Sequence, residues 1–113
     1  MDFSGSNIIV EKATVDNAGD KGLSVGEETD VVVKWLYVNK AVIGVAAKDL
    51  STVMIQHVTL DNCEQGFAAY QKKAEYGGSK IVANKVDFKT LRRQYNIQRG
   101  CVLQIGDKVI EGE

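Results

Sequence analysis

The sequence predicts an all-β domain wound as a coil of short parallel strands. Three observations predict it. Glycine returns at Gly22, Gly44 and Gly66, each time followed by alternating apolar residues, in "GLSVGEE", "IGVAAKD" and "GFAAYQK". The chain divides into blocks that align over residues 6–28, 29–50, 51–78 and 79–91; the first three are 23, 22 and 28 residues long. When the blocks are stacked, apolar residue falls on apolar residue, with mostly polar positions between. Fixed-offset similarity of this kind marks a repeated unit.

Each block opens with a strand. Ile8, Val31, Val53 and Ile81 share a column, and Val10, Val33, Ile55 and Ala83 share the next inward one. Their spacing is two, the period of a strand with one buried face. From Val10 to Ala13 the step is three, so the chain turns a corner and keeps its apolar side inward. The second strand carries Ala13, Leu36, Val58 and Val86, then Val15, Val38, Leu60 and Phe88. A column of small residues follows at Ala18, Ala41 and Cys63. The third strand enters at the recurring glycine, where a positive φ or a close backbone approach is expected. It carries Leu23, Val45 and Phe67, then Val25, Ala47 and Ala69. No turn of such a coil buries its own face, so neighbouring turns must cover it, ~4.8 Å apart. The extra length of the third block falls in "KKAEYGG", as a loop on one repeat would. An antiparallel sandwich does not account for columns matching at a fixed offset, and the "LxxLxL" of leucine-rich repeats is missing.

The ends read differently. Residues 1–6 form a polar lead, 7–87 the coils and 88–113 a C-terminal cap. In "DFKTLRRQY" the residues Phe88, Leu91 and Tyr95 stand at i, i+3 and i+7, which predicts a helix capped by Asp87 or Thr90. "CVLQIGDKVIE" predicts a hairpin with Gly106-Asp107 as its turn. Nothing comparable covers the first rung. It is expected to meet a second chain or preceding coils, the domain being part of a longer protein.

Composition narrows the function classes. With 113 residues, 44% apolar and 26% charged, one globular domain is expected. A net charge of −1 with mixed signs supplies no basic field for nucleic acid. No apolar run approaches the ~20 residues of a spanning helix, and "MDFSGSN" has no export core, so no membrane partner is expected. Cys63 and Cys101 are too few for a disulfide framework and lack metal-ligand spacing, and no cofactor is expected. The chain has no proline, which suits uninterrupted strand ladders.

The stretch "STVMIQHVTLDNCEQGF" resembles the right-handed parallel β-helix family, the pectin-lyase-like group, over residues 6–90. It is also similar to β-helical segments of larger bacterial surface proteins. The resemblance implies a right-handed single-stranded coil of about four turns and an extracytoplasmic, secreted location. It does not carry an activity, because the family includes lyases, hydrolases, epimerases, adhesins and inert stalks. The family's lyases use clustered acidic calcium ligands with an Arg or Lys base. Here Asp16 and Asp61 fall two rungs apart, ~10 Å, too far to share one ion. Arg92 and Arg93 lie outside the repeat. The hydrolase and epimerase patterns are missing, and His57 is the chain's one histidine. The turn "GEETD" lacks the spaced ligands of a known calcium loop. No catalytic or metal residues are assigned.

Two surface features stand out. Lys12, Trp35, His57 and Lys85 share an outward column, with Thr14, Tyr37, Thr59 and Asp87 two residues on. Trp35, Tyr37, His57 and Lys85 are the candidate binding residues, since rings beside hydrogen-bonding groups stack on sugars or anchor proteins; the alternative is that the rings pack only on each other. The second feature is a stripe. Ile9, Val32, Met54 and Val82 alternate outward and yet are all apolar. They are the candidate interface, to be covered by a second copy in a homodimer or by Val102, Leu103 and Ile105 of the cap. The expected function is a non-catalytic structural or binding module for a polysaccharide, in a bacterial extracytoplasmic protein. The alternative is a fragment of a polysaccharide lyase or hydrolase whose catalytic residues lie in other coils.

Overall fold

Alternation of apolar and polar residues in "DVVVKWLYVNKAVIGVAAK" produces one continuous ladder that bends twice, and the same path recurs in the blocks before and after it. The structure is a computed structural model that describes residues 1–5, 7–71 and 78–112. Its strands are β1 (Asp2–Phe3), β2 (Asn7–Val25), β3 (Asp30–Lys48), β4 (Thr52–Tyr70), β5 (Lys80–Phe88), β6 (Leu91–Ile97), β7 (Val102–Ile105) and β8 (Lys108–Glu111). β2, β3, β4 and β5 pair in parallel, in that order, and β6 pairs with β4. The fold is an all-β parallel solenoid of about four turns. The loop expected in "KKAEYGG" lies, apart from Gly78, outside the described residues.

The inward columns are those the alternation predicts. Val31 pairs with Val53 and Val53 with Ile81, Leu36 with Val58 and Val58 with Val86, and Val45 with Phe67. Phe67 and Phe88 meet edge to face at 5.9 Å. Each fully buried Val, Leu, Ile or Phe contributes about 1.5–3 kcal/mol by leaving water. The first coil is the less protected. Ile8, Val10, Ala13 and Val15 are only partly buried, because β1 covers just Ser24 and Val25 of that turn.

Two expectations are corrected, the first and third below, and two open alternatives are resolved. First, no helix forms after residue 88. β6 continues the fourth turn, with Leu91 on Cys63, Tyr95 on Phe67 and Ile97 on Ala69. A waiting parallel edge supplies a whole ladder of hydrogen bonds, whereas an isolated two-turn helix is marginal. Second, Gly22, Gly44 and Gly66 do not have positive φ; the backbone turns left-handed at Asn17, Lys40 and Asn62 instead. The glycines answer to close approach: a Cβ at Gly44 would meet Leu60 Cδ2 at 2.6 Å. Third, Gly19 rather than Ala18 pairs with Ala41, because the register shifts between Asp16 and Gly19. That bulge absorbs the one residue by which the first block exceeds the second. Fourth, the hairpin forms but does not fold over the stripe. β7 extends the coil on β5, placing Leu103 under Ile81, and β8 returns antiparallel through Gly106 (φ 56°) and Asp107.

One corner carries a buried polar column. Thr29, Ser51, Ser79 and Cys101 occupy equivalent positions on successive turns, all buried. Thr29 Oγ1 donates to the Glu27 carbonyl at 2.9 Å and accepts from Gly5 N–H at 2.6 Å. Ser79 Oγ donates to the Ala47 carbonyl at 3.0 Å, and Cys101 Sγ accepts from Ser79 N–H at 3.4 Å. These side chains hold the turn where the ladder is interrupted. Ser51 Oγ is buried with no hydrogen-bond partner among the described residues.

Candidate functional site

The second strand of each turn points its even-spaced residues away from the core, so the register decides which outward side chains meet. Lys12 pairs with Trp35, Trp35 with His57 and His57 with Lys85. In the adjacent outward column Thr14, Tyr37, Thr59 and Asp87 are paired in the same way. The four predicted binding residues therefore occupy one face, in two neighbouring columns over three turns.

The rings resolve into a stack. Trp35 and His57 lie face to face, with centroids 3.9 Å apart and planes inclined by 8°. Trp35 nevertheless remains 49% exposed. Tyr37 is exposed beside the stack and makes no ring contact with Trp35 among the described residues. A shallow hollow of about 200 Å³ lies on the first-coil side of the stack, lined by Lys12, Thr14, Trp35 and Tyr37. A second, of about 190 Å³, lies on the fourth-coil side between His57, Lys85 and Asp87. Both are smaller than the ~300 Å³ of an enclosing small-molecule pocket. They are slots beside ring faces, each bordered by a lysine and by a hydroxyl or carboxylate.

The rest of the molecule offers less convergent chemistry. A larger concavity of about 570 Å³ lies at the open N-terminal end, between Phe3, Val15, Ala18, Lys21 and Lys48. On its wall Lys21 Nζ donates to Asp20 at 2.7 Å, which raises the ammonium's pKa. The ladder of Asp16 and Asn39 is also occupied, because Asn39 Nδ2 donates to Asp16 Oδ1 at 2.8 Å, and Asn62 Nδ2 donates to Asn39 Oδ1 at 3.3 Å. Among the described residues no three of His, Cys, Asp and Glu converge as a metal site. Cys63 and Cys101 are buried and unbridged, and burial raises the Cys63 thiol pKa.

Sequence columns already placed Trp35 over His57, but they did not give the ring contact, because pairing register does not fix χ angles. The buried Thr-Ser-Ser-Cys column escaped sequence reasoning. Its signal was a small hydroxyl residue recurring at the start of each block, at Thr29, Ser51 and Ser79. Compared with family models, with curated proteins and with solved structures, the chain matches none, so its fold is read from its own repeat and ladder.

Proposed function

We propose that the domain is a non-catalytic binding module that presents the Trp35–His57 stack to carbohydrate, in an extracytoplasmic bacterial protein. The observation that carries this reading is the exposed stack itself, 3.9 Å between ring centroids, with a slot on either side. A pyranose ring has an apolar face of C–H groups and a rim of hydroxyls. The face suits Trp35, and Lys12, Thr14, Lys85 and Asp87 supply donors and acceptors for the rim. Membership of the right-handed, pectin-lyase-like group and a secreted location belong to the same proposal and rest on the resemblance of the repeat.

A glycan array probed with the wild-type domain and with Trp35→Ala tests it. The expected result is binding to at least one glycan class, weakened more than about tenfold by Trp35→Ala at unchanged melting temperature. No bound glycan, or equal binding by the variant, rejects the reading. β-Elimination of polyuronates by the wild-type domain with calcium would make the protein an enzyme instead.

A further inference from the structure

The stripe that the sequence singled out lies open in the folded chain. Ile9, Val32, Met54 and Val82 pair in register on the first strand of each turn, and Gln104 and Val109 continue the column across β7 and β8. Ile9 is 84% exposed, Val109 56%, Met54 48% and Val32 40%. The cap supplies the last rungs of this face instead of covering it. Val82 is half-buried and Gln104 is polar, but Ile9, Val32 and Met54 stand exposed on three consecutive rungs of the tallest face, unlike the scattered apolar residues of an ordinary surface.

The rims beside the column say what fits it. On one side the second turn presents Asp30, and on the other Lys34, whose ammonium lies 3.3 Å from Glu11. We infer that the occupant is a second copy of this chain, related by a two-fold axis parallel to the coil axis. That rotation keeps every rung at its own height and exchanges the two rims. Asp30 then faces the partner's Lys34, and the pair occurs twice, as an isologous interface requires. At the next turn Thr52 faces the partner's Gln56, and at the fourth Lys80 faces the partner's Asn84; both are donor–acceptor combinations. Met54 meets the partner's Met54 at the centre, and the two sheets pack at the usual ~10 Å. A like-charge approach, Glu111 with the partner's Asp107, also occurs twice, at the hairpin rung on the far edge. Six rungs by three outward columns give a footprint of roughly 400 Å², half of the ~800 Å² that each side of a standard interface buries. The dimer is therefore a weak one, at the low end of the areas that specific contacts bury.

Sedimentation equilibrium over a concentration series tests the proposal, with thermal melts to establish that each variant folds. Wild-type protein should associate reversibly to a dimer and no further. Met54→Lys should weaken the dimer more than about tenfold, because it sets two ammonium groups together at the centre. Asp30→Lys alone should weaken it, and combining it with Lys34→Asp should recover most of the loss by restoring opposite charges across the axis. A monomer at every concentration, a dimer indifferent to Met54→Lys, or a double variant no better than Asp30→Lys overturns the inference. Trp35→Ala should leave association unchanged, so failure here is distinguishable from failure of glycan binding.

Discussion

A methyl group added at Gly44 would sit 2.6 Å from Leu60 Cδ2 and 2.7 Å from the Gly66 carbonyl, both atoms of the following turn. Gly22 meets Val38 and the Gly44 carbonyl in the same manner, and Gly66 meets Phe88 and the Gln94 carbonyl. Each glycine is thus required by the coil after it. The equivalent residue of the fourth turn is Gln94, which is exposed, because among the described residues no second strand of a fifth turn lies over it. Gly44→Ala should therefore lower stability by about 1–3 kcal/mol through overpacking, whereas Gln94→Ala should change it by less than about 0.5 kcal/mol. Urea titration of the two variants checks this, and equal losses would show that the following turn is not the cause. The recurrence of glycine was legible in the sequence, and close approach was one of the two reasons expected. Its replacement by Gln94 in the fourth turn was not legible, because a sequence column does not show whether another layer lies above it.

The same blind spot governed β6. Phe88, Leu91 and Tyr95 have helical spacing, yet Phe88 belongs to the second strand of its turn and Leu91 and Tyr95 to the third. A step of three across a corner and a step of four over the exposed Arg92, Arg93 and Gln94 imitate a helix without one. The corner from Val10 to Ala13 was legible because all four blocks keep apolar residues on both sides of it; at the second corner Leu91 stands where Ala41 and Cys63 stand, and a large residue followed by Arg92 and Arg93 hid that column's continuation. The strands with four-deep columns were read in the right register, and substitution should bear that out. Leu36 is buried between Ala13 and Val58, while Lys34 is exposed on the adjoining outward position. Leu36→Asp should abolish the folded state, since an unpaired buried carboxylate costs several kcal/mol, comparable with the whole stability of such a domain. Lys34→Asp should stay within about 1 kcal/mol of wild type, because it loses only a surface ion pair. Circular dichroism melts decide it; two variants melting alike would place Leu36 outside the core.

Taken as a whole, the molecule has alkaline groups whose folded environments all act in one direction. Burial raises the Cys63 and Tyr70 pKa values above their ordinary 9.0 and 10.0, and the hydrogen bond to Asp20 raises Lys21 above 10.5. In each case the unfolded chain releases its proton at lower pH than the folded one. Stability is therefore unaffected by these groups below about pH 9 and falls as pH rises through and above their unfolded values. Urea melts between pH 7 and 11 should show the decline, and Cys63→Ala should delay its onset; a flat profile would mean that these groups are solvated in the fold. The same whole-molecule view gives the hairpin a second consequence. Parallel stacking makes each rung a template for the next, which is also how a fibre grows. β8 runs the other way, and it ends the tallest face with an antiparallel strand. A copy stacked there by translation would set its first strand antiparallel to β8 and could not continue the parallel ladder across this rung. On that face the hairpin therefore interrupts the parallel head-to-tail pairing by which a fibre of such coils would grow.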